Sequence, residues 1–157
     1  MRKLLLVMGL FVIGVMLLSF HRTDHGSSVK KSYINTSLLQ LKTAIEQLKD
    51  DCEKFENNQI DLIQLQQSLR KTRNTYKTIE FYIAFHYPEF AKTKMNGAPL
   101  FRIEPAGTAS YTLPPEGLQV LDELIFADEA EDHRAKITEI SSFLYNSYNS
   151  FYPKSRS

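Results

Sequence analysis

Only one cysteine, Cys52, occurs in the chain, so no intramolecular disulfide can form. No CxxC or CxxCH string occurs, which excludes a cysteine-held metal centre and covalently attached c-type haem. Tryptophan is absent, although there are 8 Tyr and 10 Phe. The formal net charge is only +1 and the basic residues are scattered, so no strong field points to nucleic acid or to acidic lipid. There is no G-x-S-x-G, no glycine-rich phosphate loop and no H-E-x-x-H. Internal repeats, strand alternation and low-complexity tracts are missing too. The chemistry most easily read from a sequence is therefore not written here.

What is present starts at the N-terminus. Met1-Arg2-Lys3 is a positive region, and Leu4 to Phe20 is an apolar run broken only by Gly9, Gly14 and Ser19. A run of this length reads as a secretory leader or an uncleaved membrane anchor. No cysteine stands directly after it, so a lipoprotein anchor is not expected. The lone cysteine is consistent with export. Residues 21–28 are polar and read as a linker. His21 and His25 stand four apart, but in a solvated spacer they make no metal site.

Helical periodicity dominates the remainder. Ile34, Leu38, Leu41, Ile45, Leu48, Cys52 and Phe55 step by threes and fours and predict a helix from about Ser32 to Asn57. Cys52 falls on that seam and reads as a small buried hydrophobe. Asp50, Asp51, Glu53 and Glu56 give it none of the electropositive surroundings of a reactive thiol. After the break at Asn57-Asn58-Gln59, Asp61 is a cap for a second helix. Its seam is Leu62, Leu65, Leu69, Thr72, Tyr76, Ile79 and Ile83. Two such seams joined by a short connection predict an antiparallel hairpin. Tyr87-Pro88 ends the second helix, and Glu89 to Lys94 add a turn or two.

Asn96 to Leu113 is the longest irregular stretch, opened by the Asn96-Gly97 turn signal and interrupted by Pro99 and Pro105. Its apolar residues predict ordered coil laid over the bundle. Pro114-Pro115-Glu116-Gly117 then introduces a short helix that is apolar on most faces, with Leu118, Val120, Leu121, Leu124 and Ile125. Glu116, Gln119 and Asp122 or Glu123 share its polar stripe. A last stripe, Ile137, Ile140, Leu144, Tyr148 and Phe151, predicts the fourth helix. His86-x-x-Glu89 has ligand spacing, but Pro88 stands between the two and two ligands are too few. Asp122 or Glu123 with Glu80 offers no more than a generic carboxylate pair.

Three strings together carry a resemblance. They are Arg73-x-x-Tyr76-Lys77-x-Ile79-Glu80-Phe81 with Tyr87-Pro88-Glu89-x-Ala91-Lys92; Asn96-Gly97-x-Pro99-Leu100 with Ile103-Glu104-Pro105; and Pro114-Pro115-Glu116-Gly117-Leu118-Gln119. Over about Leu69 to Phe126 the chain resembles the helical N-terminal extension found ahead of the di-haem domains of bacterial cytochrome c peroxidase-like proteins. That extension is in turn similar to imelysin-like bundles, exported helical proteins linked to iron acquisition. The imelysin-type G-x-H-x-x-E string becomes, from Gly117, a string with Gln119 in the His position and Asp122 in the Glu position. Neutral Gln is a poor transition-metal ligand. The resemblance therefore implies an electron-transfer or metal-uptake neighbourhood and, with no CxxCH, no c-type haem domain and no peroxidase activity in this chain.

The resulting expectation is an all-α protein. It is a four-helix up-and-down type bundle, with a long ordered coil before the third helix and an apolar leader in front. Residues 1–20 are the leader, 21–28 the linker, 29–153 the bundle and 154–157 the tail. The expected function is an exported, non-enzymatic interaction module, periplasmic or anchored facing the periplasm. It has no cofactor, no metal and no nucleic acid, and a di-haem peroxidase-like protein is its partner. The alternative is an imelysin-like periplasmic protein binding a metal or small ligand. The ligand or partner face is assigned to Arg73, Tyr76, Lys77, Glu80, Asn96, Glu116, Gln119 and Asp122. Arg73 and Glu80 are expected to meet Gln119 and Asp122 inside the bundle. Such a buried network makes Glu80→Ala cost about 3–5 kcal/mol.

Overall fold

The structure, a computed structural model, describes residues 25–97, 100–101, 112–113 and 116–156. The apolar leader 1–20, Ile103-Glu104-Pro105 and Pro114-Pro115 lie outside the described residues. Contacts divide the chain into two units, Met1–Tyr33 and Ile34–Ser157. In the first, residues 25–33 are helical, and Val29 and Tyr33 expose their side chains. The second carries the core.

The fold class is all-α. Helix α1 spans His25–Glu56. It begins well before Ser32 and takes in the end of the stretch expected to be linker. Once a helix is nucleated, each added residue costs little, so polar residues extend it without a seam of their own. Its expected seam is buried from Leu38 through Leu41, Ile45, Leu48 and Cys52 to Phe55, and Ile34 is half-buried. Asn58, at φ 57°, turns the chain in the left-handed region that Asn tolerates.

Helix α2 spans Leu62–His86 and buries Leu65, Leu69, Thr72, Tyr76, Ile79 and Ile83. Asp61 caps it, and the cap is reciprocal. The Asp61 carboxylate accepts from the Gln64 amide at 2.7 Å, and the Gln64 side chain accepts from the Asp61 amide at 3.1 Å. Buried Thr72 donates its hydroxyl to the Ala44 carbonyl at 3.1 Å, and Ser68 donates to Asp51 at 2.7 Å. These bonds set α1 and α2 antiparallel, because residue numbers rise on one as they fall on the other.

Tyr87 and Pro88 break α2 as expected. Helix α3, Pro88–Phe90, passes into a π turn at Ala91–Met95. Phe90 stacks on Phe151 with centroids 4.0 Å apart, and Tyr87 meets Phe151 edge-on at 4.9 Å. Helix α4 is Leu118–Ile125, and α5 is Arg134–Phe151 after a 3₁₀ turn at Ala130–His133. Ile137, Ile140, Leu144, Tyr148 and Phe151 of α5 are all buried. Helix α4 packs against both α2 and α5.

Helix α5 is fastened to α1 along its length. The Tyr148 hydroxyl donates to the Leu38 carbonyl at 2.9 Å, and Thr138 donates to the Cys52 carbonyl at 3.3 Å. Arg134 donates to the Phe55 carbonyl, pairs with Glu131 at 3.0 Å and lies 3.9 Å from the centre of the Phe55 ring. It thus satisfies a carbonyl at the C-terminus of α1, where helices lack internal partners and favour cations. Arg134→Ala is expected to cost about 1–3 kcal/mol. A urea melt checks this, and an unchanged midpoint would contradict it.

The stretch expected to be coil contains one regular feature. Leu100–Phe101 (β1) pairs antiparallel with Thr112–Leu113 (β2), Leu100 opposite Leu113 and Phe101 opposite Thr112. An isolated bridge joins Asn96 to Gly117, and the Gly97 amide donates to the Glu116 carbonyl at 3.0 Å. All four pairs keep a single antiparallel register, because each pair has the same sum of residue numbers. The two ends of the long loop are therefore tied into a ribbon neck that delivers the chain to α4.

Candidate partner face

The neck brings two of the three sequence strings into contact. Asn96-Gly97 was legible as a turn, but its partner is Gly117, far along the chain. Both glycines are required by close approach. A Cβ on Gly97 would lie 2.7 Å from the Glu116 carbonyl oxygen and 2.8 Å from that of Thr93. A Cβ on Gly117 would lie 2.5 Å from the Met95 carbonyl oxygen, and Gly117 also has φ 95° and ψ −161°. That backbone region is essentially reserved for glycine. Lys94 pairs with Glu116 at 2.9 Å across the same neck. Asn96 itself is exposed.

The remaining string lies on α2 and meets α4 just past Gln119. Arg73 pairs with Asp122, so the α2–α4 meeting expected from the sequence is present for these two residues. The other two do not take part. Glu80 pairs with Lys77 of its own helix at 2.7 Å, and Gln119 donates to Glu123 of its own helix at 3.3 Å. The expected buried network is corrected accordingly. The side chains of Arg73 and Asp122 are 40% and 37% exposed, and those of Lys77 and Glu80 are 62% and 31%. The physical reason lies in α4, which is apolar on one side rather than nearly all round. Leu118, Leu121 and Ile125 are buried, whereas Gln119 and Asp122 are half-exposed and Glu123 is exposed. Water therefore reaches the stripe, and solvated charges need no shared network.

Glu80→Ala is now expected to cost less than about 1 kcal/mol. A denaturant melt checks it, and a loss above about 3 kcal/mol would restore the buried network. Tyr76 is the one member of the eight that is buried, and burial pushes its hydroxyl up to about 12. It is a core residue rather than a contact residue.

Cys52 is fully buried, and burial pushes its thiol up to about 12. Nucleophilic thiolate is then scarce at neutral pH, and labelling of the native protein is expected to follow opening rather than direct attack. A pH dependence follows. Below about pH 9 the thiol is protonated in the folded and the unfolded chain, and its contribution to stability is complete. Between about 9 and 12 only the unfolded chain releases the proton, so stability falls as pH rises. Buried Tyr76 and Tyr148, both shifted upward by burial, add to this fall from about pH 10. Denaturant midpoints are expected to decline above pH 9 and to decline less steeply in Cys52→Ala. Identical profiles would contradict the assignment.

The sequence reading passed over the outer face of α2. Phe81 and Phe85 stand four apart on one turn and are 62% and 80% exposed. The signal was available, because both fall opposite the Ile79–Ile83 seam. His86, which had ligand spacing to Glu89, is exposed and lies in ring contact with Tyr82 and Phe85. Among the described residues there is no cluster of three or more His, Cys, Asp or Glu to hold a metal ion. Nor is any described helix long and apolar enough to cross a membrane. Comparison with protein-family models, curated proteins and solved structures returns no match to this chain.

Proposed function

We propose that the chain is an exported, non-enzymatic helical interaction module of a cytochrome c peroxidase-like redox system, with Met1–Phe20 as its leader or anchor. In this reading α1, α2, α4 and α5 form a four-helix up-and-down bundle, and a di-haem peroxidase-like protein docks along the α2–α4 side. The observation that carries it is one joint between elements far apart in the sequence. Asn96-Gly97 of the second string pairs with Glu116-Gly117 of the third, and Arg73 of the first reaches Asp122, three residues past the third. The half-exposed polar residues around that joint, with Lys77 and Asn96 outermost, are the partner face.

The imelysin-like alternative places a metal near Gln119 and Asp122. Both already have other partners, Glu123 and Arg73. The test is calorimetric titration of the purified chain with a di-haem peroxidase-like protein from the same host, alongside metal analysis. A micromolar complex weakened by Lys77→Glu supports the module. Absence of a complex overturns it, and stoichiometric iron in the chain favours the alternative.

A further inference from the structure

The outer face of α2 carries a stripe that the bundle does not use. Arg70, Lys71, Asn74, Thr78, Phe81 and Phe85 follow one another at helical spacing on the side opposite the buried seam. The stripe contains two cations, two exposed phenylalanines and no carboxylate. Most cations of this unit are neutralised: Lys42, Lys49, Lys54, Arg73, Lys77, Lys94, Arg134 and Lys136 all have carboxylate partners. Arg70 and Lys71 have none among the described residues. Arg70 lies over the Phe126 ring instead, 5.1 Å from its centre. The two cations border an open groove of about 510 Å³ whose other lining residues are uncharged.

The phenylalanine end of the stripe lies where the chain enters this unit. Tyr148 ties Leu38, near the entry, to the last turns of α5, and Tyr82, beside Phe81, donates to the Ser155 carbonyl at 3.1 Å. The unit begins at Ile34, and the apolar run ends at Phe20. The intervening chain spans at most about 45 Å, so a retained anchor holds the unit within reach of the bilayer.

We propose that the outer face of α2 docks on an anionic lipid surface, Phe81 and Phe85 entering the headgroup boundary and Arg70 and Lys71 meeting lipid phosphates. This rests on reading Met1–Phe20 as a retained anchor. An interfacial helix needs an apolar group for insertion and cations for attraction, and here both occupy one stripe.

The absence of tryptophan provides the test. Full-length chains carrying Phe85→Trp or Phe143→Trp as the only indole are reconstituted into vesicles with and without phosphatidylglycerol, doped with lipid whose headgroup carries a nitroxide. Phe143 is 49% exposed on α5 rather than on the α2 stripe and serves as the control. Quenching and a blue shift are expected for the residue-85 reporter in anionic vesicles and not for the residue-143 reporter. Each cation at such a surface is worth roughly fivefold in binding. Arg70→Gln with Lys71→Gln is therefore expected to lower the docked population by about 25-fold. Equal quenching of both reporters, or none at residue 85 in a vesicle-bound chain, overturns the docking. A chain that does not partition into vesicles at all overturns the anchor, and the docking with it. Quenching at residue 85 that is as strong in vesicles without phosphatidylglycerol, or that Arg70→Gln with Lys71→Gln leaves unchanged, overturns the anionic-lipid docking.

Discussion

Gly117→Ala is expected to destabilise the protein by about 3–5 kcal/mol. Two costs combine. Gly117 has φ 95° and ψ −161°, a region that costs a residue with a Cβ about 1–3 kcal/mol. The new Cβ would also lie 2.5 Å and 2.6 Å from the carbonyl oxygens of Met95 and Lys94. Those oxygens belong to backbone at the end of the π turn, so they cannot move aside as a flexible side chain would. Gly97→Ala separates the two costs. It meets carbonyl oxygens at 2.7 Å and 2.8 Å but has no positive φ, so it is expected to cost less than Gly117→Ala. The measurement is a denaturant melt of each variant. Equal losses would show that the conformation of Gly117 carries no cost, and a loss below about 1 kcal/mol would show that the neck is loose.

Tyr148→Ala is expected to cost about 3–5 kcal/mol. Tyr148 is 1% exposed and lies among Phe90, Phe151 and Tyr152. Truncation opens a cavity where α5 meets the π turn, and it removes the hydroxyl from the Leu38 carbonyl. Tyr148→Phe keeps the ring and loses only that bond, at about 1 kcal/mol. The ratio of the two losses is the readout. If the Phe variant is as damaging as the Ala variant, the hydrogen bond rather than packing holds α5 to α1.

Most of the helical core was legible because it depends only on periodicity. The α1 seam from Leu38 to Phe55, the α2 seam from Leu65 to Ile83 and the α5 stripe are buried as their spacing predicts, and Leu62 is half-buried. The Asp61 cap was also legible, and Gln64 three residues later was the sign of its reciprocal half. The neck was not legible. Asn96-Gly97 announces a turn, but nothing local says that it pairs with Glu116-Gly117, and the ribbon is too short and proline-rich to alternate. Arg134 was missed for a similar reason, since its partner Phe55 is distant in sequence and offers a ring and a carbonyl rather than a charge. The candidate face was half legible. Arg73 and Asp122 do meet, because α2 and α4 are neighbours. Glu80 and Gln119 were assigned to a buried network because α4 looked apolar all round. A helix of 8 residues leaves one flank to water, and there Gln119 takes Glu123 of its own helix, as Glu80 takes Lys77 on α2.

The central claim is that Asn96-Gly97 and Glu116-Gly117 close one neck beside the Arg73–Asp122 pair. Amide hydrogen exchange at Gly97 tests it most directly, because that amide donates to the Glu116 carbonyl and closes the neck. The account predicts that the Gly97 amide exchanges as slowly as that of Leu121 in α4, through the same cooperative opening. Exchange of Gly97 at the rate of an unstructured peptide, with Leu121 still protected, would contradict it.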